Sequence, residues 1–156
     1  MQLLEEDNMN LFHSMNISTT GLTVNRLQMN VISTNLANAN TTRTETGEPY
    51  RRQLLHLRTK AVEDFQSVLD GQVREKNKDT FYGVNVDSID KDMTPFRKVY
   101  NPGHPHADKQ GFVSIPNVNT MLEMANLVIA KRSYEANVTV MKTAKAMALK
   151  ALEIGK

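Results

Sequence analysis

The short run HPHAD places His104, His106 and Asp108 close together, and these side chains could ligate a metal ion. Imidazole nitrogens and carboxylate oxygens are common zinc ligands. However, Pro105 stiffens the link between the two histidines, and no third strong ligand follows at a helical spacing. We therefore predict a structural loop here, with no metal and no cofactor.

Two pairs of basic residues, Arg51–Arg52 and Lys131–Arg132, could contact phosphate groups. Neither pair is accompanied by a stacking platform of aromatic side chains, and Glu45 and Glu48 balance the charge around the first pair. The net charge of +2 is too small to imply a polyanionic partner. We therefore predict solvated faces or protein–protein salt bridges and no nucleic-acid partner, with a nucleic-acid-binding coiled coil as an alternative.

The sequence contains none of the common catalytic patterns. GxSxG, a P-loop, HExxH and GxGxxG are all absent from the chain. Glu63 and Asp64 are adjacent carboxylates, but they lie in a polar segment in which such a pair is commonplace. We therefore predict that the protein is not an enzyme and has no small-molecule substrate.

The composition favours helices packed through small and flexible side chains. The chain has 156 residues, no Cys, no Trp, an aromatic content of 6% and nine Met. The absence of Cys excludes a disulfide framework and thiolate metal sites. Few large anchors make a thin core, whereas Leu, Met and Ala suit helix packing and adaptable interfaces.

Both ends of the chain repeat apolar residues at alternating steps of four and three, which gives a mean period of 3.5 residues. This period is typical of helices that pack along their length. The first stripe comprises Leu11, Met15, Ser18, Leu22, Asn25, Met29, Ile32, Leu36 and Ala39. The second comprises Leu127, Ala130, Tyr134, Asn137, Met141, Ala144, Ala148 and Ala151.

Each stripe is too narrow and too polar to form a stable core alone. We therefore expect the ends to pair as an antiparallel coiled coil and to pack against neighbouring subunits, as in an assembly protein. Asn25 and Asn137 lie on the seams, where a polar residue fixes register. The predicted packing residues are Leu22, Asn25, Met29, Ile32 and Leu36 on the first helix, and Leu127, Tyr134, Asn137, Met141, Ala144 and Ala148 on the second.

The sequence predicts an α+β fold with long terminal helices and a small β-rich middle segment. We expect a loose start at 1–8, a first helix at 9–37 and a second that begins near Asn117 or Asn119 and ends near Ile154. Strands are predicted at 50–60, 82–86, around Val99 and at 111–115, with a hairpin or surface loop at 70–80. The predicted domains are a helical one, 1–40 with 117–156, and an outer segment, 41–116.

The sequence carries no signal for membrane insertion. No apolar run approaches the roughly 18 residues that a transmembrane helix requires. The N-terminus, MQLLEEDNMN, is acidic and lacks a basic region followed by an apolar core. We therefore expect no secretory signal peptide and no membrane-spanning segment.

Four segments stand out when they are taken together: STNLANANTTRT at 33–44, GEPYRRQ at 47–53, PFRKVYNPGHPHADKQGFVSIPNVN at 95–119 and MANLVIAKRSYEANVTVMKTAKAM at 124–147. Together they resemble one known family, the bacterial flagellar rod and hook proteins, and in particular its proximal-rod members. The residues that carry the family pattern are Asn35, Ala37, Asn38, Thr41, Pro49, Tyr50, Arg51, Pro102, Gly103 and Pro105. Asn101, His106 and Lys109–Gln110 depart from it, since acidic residues are common at these positions.

The resemblance implies a structural subunit that polymerises into the proximal rod of the flagellar basal body. Such a rod transmits motor torque, encloses the export channel and crosses the periplasm. The implied partners are copies of the same chain, other axial rod proteins and the flagellar export apparatus, which exports subunits without a cleavable signal peptide. The alternative is a helical adaptor that binds one partner and does not polymerise.

Overall fold

A computed structural model describes residues 2–61 and 81–154 of the chain. In these ranges the elements are α1 (Gln2–Ala37), β1 (Gln53–Ala61), β2 (Tyr82–Lys91), β3 (Arg97–Tyr100), β4 (Phe112–Ile115) and α2 (Thr120–Ile154). Helices at both ends with strands between them confirm the α+β class. The loop predicted at 70–80 lies outside the described residues.

The strands form two separate two-stranded sheets, one of β1 with β2 and one of β3 with β4. In the second sheet the strands are antiparallel, and their register runs from Arg97 opposite Ile115 to Tyr100 opposite Phe112. All four strands lie where apolar alternation or short extended runs predicted them. β2 continues to Lys91, beyond the predicted 82–86.

The chain divides into two compact units, and each unit contains part of both helices. The first unit comprises Met1–Arg26, Leu57–Val86 and Arg132–Lys156, and the second comprises Leu27–His56 and Asp87–Lys131. The predicted domains, 1–40 with 117–156 and 41–116, stay a prediction.

In the first unit, α1 and α2 are in direct contact. Thr19 Oγ1 lies 3.9 Å from Met141 Sδ, and a Cβ added to Gly21 would lie 2.8 Å from Asn137 Nδ2. The residue number of the contact on α2 falls from 141 to 137 as the residue number on α1 rises from 19 to 21, so these portions of the two helices run antiparallel. The coiled-coil geometry itself stays a prediction.

The hydroxyl groups of α1 are bonded mainly to their own helix. They donate hydrogen bonds to backbone carbonyls three or four residues earlier at Ser18, Thr19, Thr20, Thr23 and Thr34. Such bonds slightly weaken a helix because they compete with its backbone pattern. α1 therefore depends on packing, as its many Thr residues also indicate.

The prediction of a loose segment at 1–8 is wrong, because α1 begins at Gln2. This start has a physical basis. Leu, Gln and Glu are good helix formers, and the sequence has acidic residues at positions 5–7, in the first two turns of α1. Negative charge is favourable there because the helix dipole is positive at that end.

The start of α2 is capped by Asn119. Its Oδ1 accepts hydrogen bonds from the backbone N–H groups of Met121 and Leu122, at 3.1 and 3.2 Å. These donors belong to the first turn, where no intrahelical acceptor is available. Asn117, the other predicted cap, instead accepts a hydrogen bond from the Arg52 backbone N–H at 2.9 Å.

Replacement of Gly21 tests the contact between the helices of the first unit. In an Asn137→Ala background, Gly21→Ala should raise the free energy of unfolding by about 1 kcal/mol through helix propensity. In the wild-type background the gain should be smaller, because the new methyl group meets the Asn137 amide. Urea unfolding of the four chains measures the difference. Equal gains in both backgrounds would show that this contact is absent.

Candidate functional site

A cluster of buried and half-buried polar side chains joins three segments of the second unit. We call Asn35, Tyr50, Arg52 and Glu123 the polar clamp. Glu123 on α2 is 1% exposed, and its Oε1 lies 2.8 Å from Arg52 Nε and 2.6 Å from Arg52 Nη2. A charge buried this deeply requires a partner, and the arginine fork supplies two donors to the carboxylate.

Asn35 on α1 satisfies its whole hydrogen-bonding capacity inside the clamp. Its amide group donates to the Gln53 carbonyl at 2.9 Å and to Glu123 Oε2 at 3.2 Å. Its Oδ1 accepts from the Tyr50 hydroxyl at 2.9 Å and from the Gln53 backbone N–H at 2.8 Å. One amide side chain therefore holds both α2 and the chain that enters β1.

A second set of hydrogen bonds extends from the clamp to the end of β2. Asn117 donates to the Asp92 carbonyl at 3.0 Å and to Thr94 Oγ1 at 2.8 Å, while the Asp92 N–H donates to the Arg52 carbonyl. The Thr94 backbone N–H bonded to Asp92, aided by Arg52 and Arg51, lowers the pKa of the Asp92 carboxyl. Asp92 therefore remains an acceptor in mildly acidic solution.

A half-open depression of about 160 Å³ lies beside the clamp. Its charged lining groups, Arg52 and Glu123, are paired with each other, and its remaining lining is amide and aliphatic. It therefore presents no free nucleophile or general base. It is lined by Gln28, Val31, Ile32, Asn35, Arg52, Gln53, Leu54, Leu55, Glu123 and Asn126.

The other residues of the family pattern shape two loops. Asn38 Oδ1 lies 3.2 Å from the Thr41 hydroxyl, and the Thr41 carbonyl accepts a hydrogen bond from the Tyr50 N–H. The Arg51 guanidinium lies 4.1 Å from the ring centroid of Phe96. Pro49 is half-buried, whereas the remaining residues of the pattern are exposed: Ala37, Pro102, Gly103 and Pro105.

The histidine-rich loop is held by hydrogen bonds of its own. Asp108 Oδ1 accepts from the backbone N–H groups of Gln110 and Phe112, and the latter bond is the main reason that the pKa of Asp108 is lowered. His106 Nδ1 lies 2.9 Å from Thr42 Oγ1. No cluster of three metal-binding side chains occurs among the residues that the structure describes.

The predicted packing residues all lie in sheltered positions. Ile32 and Ala144 are buried. The other nine are half-buried: Leu22, Asn25, Met29, Leu36, Leu127, Tyr134, Asn137, Met141 and Ala148. Their role in packing between helices or between subunits stays a prediction. Val24 and Val31 are buried beside the predicted stripe and were not among the predicted packing residues.

In each unit, α2 exposes several large apolar side chains among exposed charged residues such as Arg132, Lys142 and Lys145. In the second unit, Leu122 and Ile129 are 50% and 62% exposed and lie seven residues apart, which places them on one side of the helix. In the first unit, Val140 and Met147 show the same spacing and are 45% and 53% exposed. Further exposed apolar residues on α2 are Met121, Met124, Val128, Leu149 and Leu152.

The outward side of α1 is polar by contrast. Over 13–37, where its side chains are described, no large apolar residue is exposed. Its exposed residues are Asn16, Thr19, Thr23, Arg26, Asn30, Ser33, Thr34 and Ala37. The described side chains of 13–37 therefore differ from those of α2 in how many large apolar groups they present to a neighbouring molecule.

Two family models match the chain, and both describe flagellar rod proteins. The model described as flagella basal body rod protein matches residues 15–43. The model described as flagellar basal body rod FlgEFG protein C-terminal matches residues 109–154. These matches include most of α1 and α2, and they define the class as flagellar rod proteins.

Similar proteins named flagellar basal-body rod protein FlgC occur in several bacteria. The chain is 46% identical to that of Bacillus subtilis over 95% of this chain and 100% of the relative, and 40% identical to that of Borreliella burgdorferi over 94% and 98%. The protein of Salmonella typhimurium is 35% identical over 94% and 99%. The chain therefore belongs to the FlgC family of flagellar basal-body rod proteins.

Membership of this family confirms the resemblance seen in the motifs. The chain is a structural rod subunit and not an enzyme. The relatives do not favour the alternative of a non-polymerising adaptor. None of the helices that the structure describes is long and apolar enough to cross a membrane.

Tyr50 gives the clamp a predicted dependence on alkaline pH. Burial, and secondarily the charge of Glu123, raise the pKa of Tyr50 above its ordinary value of 10.0. Between the two pKa values, Tyr50 therefore keeps its proton in the folded state and loses it in the unfolded state. The contribution of Tyr50 to the free energy of unfolding is complete below pH 10, and it is lost as the pH rises through the pKa of the folded state. Urea unfolding from neutral to strongly alkaline pH measures this loss.

Tyr50→Phe should reduce this alkaline loss of stability, because the titrating hydroxyl is removed. Tyr82→Phe is the matched control, since the Tyr82 side chain is 59% exposed. An alkaline unfolding curve that is the same in Tyr50→Phe and in the wild type would contradict the prediction.

Proposed function

We propose that this chain polymerises, with copies of itself and with other rod components, into the proximal rod of the flagellar basal body. In this proposal the rod is the shaft that transmits motor torque and encloses the export channel. The observation that carries the proposal is the exposure of apolar side chains on α2 in each unit, Leu122 and Ile129 in the second and Val140 and Met147 in the first. Family membership supplies the identity of the assembly.

Apolar side chains exposed in this number favour association. Burial of a Val, Leu, Ile or Met side chain contributes about 1.5–3 kcal/mol when it is complete. Several half-exposed residues per helix portion can therefore stabilise a contact between subunits. Concentrated exposed apolar surface is typical of interaction sites, and among the described side chains of the two helices it occurs on α2 and not on 13–37 of α1.

The difference between the two helices favours a heterologous contact. In a heterologous contact, two different surfaces meet. Here the apolar side chains of α2 on one subunit would pack against a different part of the neighbouring subunit. Contacts of this kind that do not close into a ring generate an open helical assembly. In this arrangement the helical segments 1–40 and 117–156 form the inner part, and 41–116 forms the outer part.

The proposed location is the periplasmic rod of the basal body, reached through the flagellar export apparatus. The absence of Cys is compatible with passage into an oxidising compartment, because no thiol can mispair there. The partners in this proposal are all proteins. They are copies of the same chain, other axial rod proteins and the export apparatus.

Substitution of Val140 by Asp tests the apolar surface. Val140 is 45% exposed, so Val140→Asp should leave the helix content and urea midpoint of the monomer nearly unchanged. A charge buried in an intersubunit contact is costly, so incorporation into basal bodies should fall by about tenfold or more, with a loss of motility. Immunoblots of purified basal bodies and swimming assays measure both effects.

Thr139→Asp is the matched control, because it adds the same charge at the adjacent exposed polar position of α2. This variant should incorporate and swim like the wild type. If Val140→Asp incorporates as well as Thr139→Asp, the apolar side of α2 is not the assembly contact.

A further inference from the structure

We propose that the Arg52–Glu123 pair of the polar clamp selects a single arrangement of the second unit and does not increase its net stability. The pair joins the chain just before β1 to the first turns of α2, and Asn35 brings α1 into the same network. The part of this proposal that concerns incorporation rests on the proposed function. The part that concerns the folded monomer does not.

The apolar contacts of the second unit discriminate poorly between arrangements. Its buried apolar side chains are few and aliphatic: Val31, Ile32, Val113, Ala130 and Pro116. The stripe on each helix repeats every seven residues, so a shift of one helix by one heptad presents a similar apolar surface. Shape alone therefore leaves competing arrangements close in free energy.

The clamp penalises such a shift strongly. Seven residues after Glu123 is Ala130, so a shift by one heptad would place a methyl group where Asn35 and Arg52 now find their acceptor. Each would lose a hydrogen bond to a carboxylate that is 1% exposed in the observed arrangement. An unpaired charge or amide in a buried site is costly, so only the observed arrangement satisfies these groups.

The same pair contributes little to net stability. Removal of Glu123 and Arg52 from water carries a desolvation penalty that their attraction only partly offsets. Replacement of a buried ion pair by apolar side chains of similar volume is often neutral or stabilising. Two variants can therefore separate the selection of one arrangement from stability. The first should lose the single arrangement and keep its stability, and the second should lose stability and keep the single arrangement.

The first variant is the apolar pair Arg52→Met with Glu123→Leu. Its urea midpoint should stay near that of the wild type, because the relieved desolvation of Arg52 and Glu123 offsets the hydrogen bond that the Asn35 amide loses. However, the amide cross-peaks of 27–56 and 87–131 in the NMR spectrum of the full-length monomer should double. Incorporation into basal bodies should fall by about tenfold, in proportion to the remaining competent fraction.

The second variant is Glu123→Gln, which keeps an acceptor oxygen for Arg52 but removes the charge. Its urea midpoint should fall, because the guanidinium loses its counter-charge and the Asn35 amide loses its acceptor oxygen. Its cross-peaks should stay single, and its incorporation should approach that of the wild type. If Glu123→Gln incorporates into basal bodies despite its lower urea midpoint, the Arg52–Glu123 pair acts by positioning the second unit and not by stabilising it.

The control is Arg51→Met with Glu48→Leu, which makes the same two changes at a neighbouring pair whose acid is exposed, with 3.7 Å between Arg51 Nε and Glu48 Oε2. It should show single cross-peaks and normal incorporation.

The proposal is overturned if the apolar pair variant unfolds, if its cross-peaks stay single, or if incorporation follows the urea midpoint across the variants. Failure of the wild-type chain to enter basal bodies would instead refute the proposed function, and the cross-peaks would still decide the role of the clamp.

Discussion

The buried carboxylate of Glu123 is the constraint on which the second unit depends. Because this group is 1% exposed, its hydrogen bonds must come from protein donors, and these arrive from two other segments. Arg52 approaches from the chain that leads into β1, and Asn35 approaches from α1. The end of one helix, the start of the other and the first strand are therefore positioned by one charge, and a change in any donor affects all of them.

The sequence predicts the helices well because period and capping act locally. The stripe that ends at Ala151 and the side chain of Asn119 lead to an α2 that the structure places at Thr120–Ile154. Glu123 was missed because a charged residue does not count as part of an apolar stripe. Nevertheless, the stripe gives a signal, since a step of four residues back from Leu127 reaches Glu123. No other charged residue lies between Pro116 and Ala130, so this one stands out.

The outward surface could not be predicted in the same way. A heptad pattern indicates which side of a helix is sheltered, but apolar residues off the stripe, such as Ile129 and Val140, interrupt that pattern without a clear meaning. Their exposure becomes apparent only when the neighbouring elements are in place. The hydrogen bonds of Asn35 were equally hidden, since Gln53 lies 18 residues away and Glu123 lies 88 residues away.

The hydroxyl groups along α1 have a consequence for any molecule that lies against them. Because Thr23 and Thr34 already give their protons to their own backbone, they offer acceptor lone pairs but no free donor. A neighbour that needs a hydrogen-bond donor on this surface must therefore find it at the exposed amides of Asn16 and Asn30 or at the Arg26 guanidinium.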